Sequence, residues 1–117
     1  MTTDPRKALG DEGELMVARA LERQGFTIQA KNYRKPFGEI DVIAKKNDLL
    51  IFVEVKRRKK RSFDLSQLIT LSKQRKIIMV AQEYIARHNH DSMYCRFDVA
   101  LIDGQELTYI PDAFTQR

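Results

Sequence analysis

The chain has 117 residues, a length typical of a single domain with one core. Hydrophobic residues make up 43% and charged residues 32%, which is unlike the composition of a disordered chain. The longest apolar run, residues 49–53, is far too short to span a membrane, and the N-terminal segment lacks the apolar core of a signal peptide. The single cysteine excludes a disulfide framework and a Cys-rich zinc site. We therefore expect a cytoplasmic protein without a membrane anchor.

The first half of the chain predicts one helix followed by three strands. Asp4 as N-cap and Pro5 as first helical residue begin a helix that extends to about Gln24, and Gly25 ends it. The strands cover residues 26–33, 39–45 and 49–56, separated by turns at 35–38 and 46–48. The third strand is the most hydrophobic, so we expect it at the centre of the sheet.

The second half predicts a short helical turn at 65–69, a helix over 72–88, a strand over 94–102 and a hairpin strand over 107–110. A strand, a helix and a further strand in succession imply parallel strands joined by a right-handed crossover. The predicted fold is therefore an α/β domain with a central mixed sheet flanked by helices. Its core covers about residues 8–102, and residues 103–117 form a C-terminal hairpin strand and tail.

Positive charge is concentrated in one segment. Residues 54–76 contain nine basic and two acidic side chains, whereas the whole chain has a net charge of +5. Such a patch favours a polyanionic partner, although a solvated loop has the same composition. A membrane surface is disfavoured because the run at 56–61 contains no apolar anchors. The basic residues are Lys56, Arg57, Arg58, Lys59, Lys60, Arg61, Lys73, Arg75 and Lys76.

Carboxylates occur on strand faces where a core-forming sequence would have apolar residues. Alternation places Glu54 and Lys56 on one face of the third strand, and Glu39 and Asp41 on one face of the second. Burying such charges costs several kcal/mol unless partners meet them, so the pattern indicates a site. A structural ion pair on the sheet face is the alternative, and for Glu39 a further alternative is a position at the solvated end of its strand.

Two helical residues point toward the same predicted site. Glu14 lies on the apolar side of the first helix, and Lys73 begins the apolar face of the long helix. Either could instead be a solvent-facing residue, as could the adjacent Gln74. Clustered carboxylates bind Mg²⁺ or Mn²⁺, and a lysine beside them can stabilise phosphate charge. Metal, water, lysine and basic patch together indicate hydrolysis of phosphodiester bonds.

Three further features have simpler structural interpretations. His88 and His90 lie at a helix end, where a histidine complements the helix dipole without binding a metal. Arg96 and Asp98 share a strand face and are expected to pair with each other. Cys95 alternates with apolar residues and is expected in the core.

The ordered motifs resemble a known family. Residues 38–43 (GEIDVI), residues 52–58 (FVEVKRR), Lys73 at a helix start and residues 96–99 (RFDV) resemble the YraN-like family, UPF0102. That family is placed in the PD-(D/E)XK nuclease-like superfamily, with similarity to archaeal Holliday junction resolvases. The resemblance covers about residues 8–102 and implies a restriction-endonuclease-like αβββαβ core. Ile40 stands where the superfamily has proline, so Asp41 is assigned by position.

The resemblance also implies roles for individual residues. Asp41 and Glu54 would be the metal ligands and Lys56 the catalytic lysine. Glu14 would be a helix-borne acid and Glu39 an auxiliary acid, while Lys73 or Gln74 would lie near the phosphate. Apart from the resemblance, the concentration of charge predicts that the basic residues, with Gln74 beside them, contact the nucleic acid; these are Arg57, Arg58, Lys59, Lys60, Arg61, Gln74, Arg75 and Lys76.

The main hypothesis is a Mg²⁺-dependent endonuclease-like protein that hydrolyses DNA, with branched or damaged DNA as candidate substrates. DNA is favoured over RNA, and a homodimer would suit a resolvase-like enzyme. One alternative is a non-catalytic nucleic-acid-binding module of a repair complex. Another is a protein-interaction domain whose basic segment meets an acidic partner.

Overall fold

The computed structural model describes residues 5–59, 65–90 and 92–115. The first helix, α1 (Pro5–Arg23), ends where Leu21 accepts backbone hydrogen bonds from Gln24 and Phe26. Gly25 follows with a φ of 95°, a left-handed conformation that glycine adopts without strain. The predicted N-cap, Asp4, lies outside the described residues.

Five strands form a single sheet in the order β1-β2-β3-β4-β5. The strands are β1 (Thr27–Lys35), β2 (Gly38–Lys46), β3 (Leu49–Arg57), β4 (Tyr94–Asp103) and β5 (Glu106–Phe114). The β3–β4 pair is parallel and the other three pairs are antiparallel. The predicted mixed sheet, the central position of β3 and the C-terminal hairpin strand are therefore confirmed.

The connection between β3 and β4 contains the remaining helices, α2 (Leu65–Leu68) and α3 (Leu71–Arg87). Thr70 is the N-cap of α3, and its hydroxyl accepts a hydrogen bond from the backbone N–H of Lys73 at 3.2 Å. Because β2 begins where β3 and β4 end, these three strand ends lie together beside the start of α3. We call this region the carboxyl end of β3.

Each helix covers one face of the sheet. Ile77, Val80 and Tyr84 of α3 pack on the face formed by Phe52 and Phe97. On the opposite face, Val17 and Leu21 of α1 pack against β2, β3 and β4. The strand residues of this cluster are Val42, Ala44, Ile51, Val53, Ala100 and Ile102. We call these the α3 face and the α1 face. Adjacent residues of β3 therefore point to different helices.

All five strands are longer than the sequence predicted. β3 continues to Arg57, and Arg58 donates a backbone hydrogen bond to the Ile102 carbonyl at 3.0 Å. β5 extends to Phe114 through an irregularity opposite Asp98, where Asp112 has a φ of 52°. Pro111 in this segment argued against a continuous strand, but the irregularity accommodates it.

Among the described residues, no helix combines the length and apolar character needed to cross a membrane.

Candidate functional site

The site begins where β2 and β3 stop pairing. Their ladder extends from Lys46–Leu49 to Val42–Val53. Beyond it, a carboxylate oxygen of Asp41, Oδ2, accepts the backbone N–H of Val55 at 2.8 Å. The side chain thus replaces a backbone partner and is held between the two separating strands. Asp41 is therefore placed by the sheet itself.

Glu54 follows the last residue of β3 that pairs with β2, and it is only 8% exposed. Its Oε1 atom lies 3.3 Å from the Lys73 Nζ and 3.9 Å from the Lys56 Nζ. One lysine comes from the same strand, two residues along, and the other from the first turn of α3. The two ammonium groups offset part of the cost of burying this carboxylate.

The pKa of Glu54 is raised from 4.5 to about 7. Burial is the largest cause, followed by the charge and the hydrogen bonding of the neighbouring Asp41 carboxyl, and the two lysines only partly oppose them. At neutral pH this carboxyl is therefore close to its titration midpoint. Two carboxyls near enough to disfavour joint ionisation are also near enough to share a cation.

The two lysines respond in opposite directions. Burial lowers the pKa of Lys56, and so does its contact with the Lys73 ammonium group. Burial also acts to lower the pKa of Lys73, but hydrogen bonding with Lys56 and the negative charge of Glu54 raise it overall. The pair thus provides one firmly protonated ammonium beside one that loses its proton more easily.

Asp41, Glu54 and Lys73 border a cavity of about 200 Å³ at the carboxyl end of β3, and its lining, taken over the described residues, does not include Lys56. We call this space the acid cavity. The structure brings together five of the residues that the sequence singled out. One of these five, Lys76, was predicted to bind nucleic acid. The lining consists of Gly38, Glu39, Asp41, Glu54, Lys73, Lys76 and Ile77.

Glu39 lies at the partly exposed rim of the acid cavity. Its Oε1 lies 3.3 Å from the Nε of Arg34, its cross-strand partner on β1. This carboxylate is therefore already paired on the side away from Glu54. The predicted auxiliary acid lines the cavity but has its own cation.

Gly38 is a lining residue that the sequence pattern did not single out as functional. A Cβ at this position would lie 3.1 Å from Val80 Cγ2 and 3.2 Å from the carbonyl oxygen of Lys76. The absence of a side chain thus allows α3 to approach the start of β2. The only available signal was a glycine at the turn before Glu39.

Glu14 is half-buried on α1, and the lining of the acid cavity, taken over the described residues, does not include it. α1 packs on the α1 face, whereas the acid cavity opens beside α3. The role of Glu14 as a helix-borne acid stays a prediction.

The described part of the basic run, residues 56–59, does not form one patch. Lys56 is directed to the α3 face, whereas Arg57 lies beside Gly13 of α1, its Nε 3.9 Å from where a Cβ at Gly13 would be. Arg58 donates a hydrogen bond from Nη1 to the Arg57 carbonyl at 2.7 Å, and Lys59 is exposed. The remaining predicted residues, Lys60 and Arg61, lie outside the described residues. The sequence predicted that the third strand ends at Lys56 and missed only that β3 also includes Arg57.

The predicted contacts on α3 have different surroundings. Gln74 is half-buried, and its side-chain amide donates a hydrogen bond to the Ile69 carbonyl at 3.1 Å. Arg75 and Lys76 are exposed, and only Lys76 lines the acid cavity. Gln74 therefore stabilises the start of α3.

The structural interpretations of two other motifs agree with the observed geometry. Arg96 donates two hydrogen bonds to Asp98, each at 2.9 Å, and their expected pairing is confirmed. His88 caps α3, with Nδ1 3.0 Å from the Tyr84 carbonyl oxygen. Cys95 was predicted to lie in the core, and this prediction was wrong. It is exposed near the start of β4, before the buried part of that strand begins.

Comparison with known proteins identifies the family. Residues 13–102 match the model of the uncharacterised protein family UPF0102, and the chain belongs to this family. A UPF0102 protein of Synechococcus sp. (strain JA-3-3Ab) is 45% identical over 116 residues, which cover 90% of this chain and 87% of the relative. Another, from Methylobacillus flagellatus, is 38% identical over 113 residues, which cover 93% and 98% of the two chains. The predicted family membership is thus confirmed.

Proposed function

We propose that this protein is a metal-dependent endonuclease-like phosphodiesterase that acts on nucleic acid, with DNA favoured over RNA. One observation supports the proposal above all: Asp41 and Glu54 meet at the acid cavity, and the ammonium groups of Lys56 and Lys73 lie 3.9 and 3.3 Å from a carboxylate oxygen of Glu54. Paired carboxylates beside lysines match the needs of phosphodiester hydrolysis. The cytoplasm, where DNA substrates occur in bacteria, would be its place of action.

The donor set fits Mg²⁺ or Mn²⁺. Among the described residues, no group of three or more His, Cys, Asp and Glu side chains is arranged to hold a metal. Mg²⁺ in phosphate chemistry commonly uses only one or two carboxylates, together with water and phosphate oxygens. Asp41 and Glu54 supply such a pair of hard oxygen ligands. When bound, the metal would polarise the phosphate and lower the pKa of a bound water.

The protein's own side chains would do the rest. Val55 holds the Asp41 carboxylate in place through its N–H, so this ligand needs no reorganisation. Lys56, whose pKa is lowered, would orient the attacking water or donate to a phosphate oxygen. Lys73, whose pKa is raised, would stay protonated and stabilise the negative charge that develops on the phosphate. Lys76 at the cavity lining would contact a neighbouring phosphate.

A cleavage assay tests this proposal. Labelled linear, single-stranded, flapped and four-way-junction DNA would be incubated with Mg²⁺, Mn²⁺ or EDTA. We expect metal-dependent cutting that Glu54→Ala and Lys56→Ala reduce by about 10²–10³-fold, the usual effect of losing one charge-stabilising group. Glu22→Ala and Lys31→Ala, at exposed positions outside the cavity, are the charge-matched controls. Cutting that EDTA leaves unchanged, or that the cavity variants and the controls share, would contradict the proposal.

A second candidate is a non-catalytic nucleic-acid-binding module that acts within a repair complex or as a homodimer. The observation in its favour is that Glu54 already has two lysine partners, so the cluster neutralises much of its own charge. Wild-type protein that binds these DNAs but cuts none of them with either metal would favour this candidate.

A further inference from the structure

A second cavity lies on the opposite side of β3 from the acid cavity. It has a volume of about 320 Å³ and runs between α1 and the turn that joins β4 to β5. We call it the arginine groove. Its lining consists of Glu12, Leu15, Met16, Arg19, Arg23, Arg57, Gly104 and Gln105.

Three guanidinium groups make the groove positively charged. Arg19 and Arg23 are one helical turn apart, about 6 Å between their Cβ atoms, and so lie on the same side of α1. Arg57 enters from β3, next to Gly13. Glu12 is the one carboxylate in the described lining, which leaves a net charge of +2. Guanidinium groups bind phosphate oxygens in a planar, two-pronged geometry, so the groove is suited to phosphate.

The groove begins at the same end of the sheet as the acid cavity. Glu54 lines the acid cavity from the α3 face and Arg57 lines the groove from the α1 face, so the two cavities lie on opposite sides of the same end of β3. From Glu12 to Arg23 the groove follows α1 for about 16 Å, at 1.5 Å per residue. A chain that crosses the carboxyl end of β3 can therefore contact both cavities.

The size and lining of the groove fit one strand of a nucleic acid. A volume of 320 Å³ is at the low end of the range of about 300–1,000 Å³ for small-ligand pockets, and it accommodates a nucleotide unit. Leu15, which is 40% exposed, and Met16 provide an apolar wall for a sugar or an unpaired base. Stacking or apolar contact with unpaired bases is how proteins bind single strands without sequence preference.

We infer that the arginine groove binds the backbone of a single-stranded arm of the nucleic acid whose junction with a duplex occupies the acid cavity. This inference rests on the proposed function and specifies its substrate: a branched or flapped nucleic acid. Arg19 and Arg23 hold phosphates of the single strand, while Asp41 and Glu54 act at the branch.

Fluorescence anisotropy in EDTA tests the groove apart from catalysis. The probes are a labelled single-stranded 12-mer, the same sequence as a duplex, and dAMP as competitor. Arg19→Gln/Arg23→Gln should weaken single-strand binding by about tenfold and make the log–log salt slope shallower by about 1.4, for two lost phosphate contacts. Lys31→Gln/Arg87→Gln, at exposed positions outside both cavities, removes the same charge and should have a smaller effect. Thermal melts of both variants check that they are folded.

A second measurement compares cutting of a flapped and a linear duplex with Mg²⁺. Wild type should prefer the flap, and Arg19→Gln/Arg23→Gln should lose that preference while still cutting the linear duplex. If the arginine and control variants bind the single strand equally, the inference fails and the proposed nuclease stands. It also fails if dAMP competes as well as the 12-mer. If wild type binds no nucleic acid, both the proposed function and the inference fail.

Discussion

Two carboxylates are buried near β3 and β4, and their surroundings differ. Asp98 is 0% exposed, and its two oxygens accept four hydrogen bonds, two from Arg96, one from the Tyr109 hydroxyl and one from the Asp112 N–H. Glu54 is 8% exposed and has a second carboxyl and two ammonium groups around it, beside a cavity. Burial of an acid alone therefore does not distinguish a site from a scaffold. What distinguishes them is whether the protein fully satisfies the charge.

The Asp98 network has an evident structural task. It joins β4 to the irregular part of β5, where Asp112 has a left-handed backbone conformation. The hydrogen bond from Tyr109 is 2.5 Å long, and the pKa of this phenol is raised by burial and by the hydrogen bond to Asp98. Asp98 thus holds the C-terminal strand on the sheet and needs no ligand.

The largest expected effect is on this scaffold. Asp98→Ala leaves Arg96 without its carboxylate and should lower the free energy of unfolding by about 3–5 kcal/mol, the usual result of breaking a buried ion pair. Urea denaturation measures it. Tyr109→Phe removes one hydrogen bond to a charged group and should cost about 1.5–3 kcal/mol. Asp48→Ala, at an exposed turn, is the control, and an equal effect at Asp48 and Asp98 would contradict the structural role.

At Glu54 we expect a substitution to raise the free energy of unfolding, whereas a substitution at Asp98 lowers it. Because the folded-state pKa is raised from 4.5 to about 7, the protein without metal should lose stability as the pH rises through this interval. Glu54→Gln resembles the protonated acid and should therefore raise the free energy of unfolding at pH 8 by about 3 kcal/mol, and by little at pH 4. Denaturation of both proteins in EDTA across this pH range measures the difference. A variant that is less stable than wild type at pH 8 would place Glu54 with Asp98 as a scaffold residue.

A smaller effect is expected at Gly38. An added Cβ would meet backbone and side-chain atoms of α3 at 3.1–3.2 Å, so α3 must shift at the acid cavity. Gly38→Ala should cost about 1–3 kcal/mol of stability, as overpacking does, and should reduce metal-dependent activity through displacement of Lys73 and Lys76. Gly13→Ala is a matched control, because its nearest contact of 3.2 Å lies against Ile102, away from the acid cavity. Equal activity of the two variants would mean that the approach of α3 is not needed.

The sequence predicted the sheet well because its signals were local. Glycine and proline turns separated the hydrophobic strands, and the long helix between β3 and β4 required a parallel pair. Alternation also predicted that Asp41 and Glu54 would face the same site. These inferences needed no knowledge of packing.

Other features depended on contacts between segments far apart in the chain. The basic run was read as one surface, but ladder hydrogen bonding extends β3 to Arg57 and separates it from Lys56. The arginine groove forms only when α1 and the β4–β5 turn meet, so Arg19 and Arg23 gave no signal in the sequence.

The most direct test of the central claim is a metal titration by calorimetry at pH 8, with Mg²⁺ and Mn²⁺. Wild type and Asp98→Asn, the latter at a temperature where it is folded, should bind the metal, and Glu54→Gln and Asp41→Asn should not. That result would establish Asp41 and Glu54 as a metal-binding pair and Asp98 as part of the scaffold. Equal binding by Glu54→Gln and wild type would contradict the assignment of the acid cavity as the metal site.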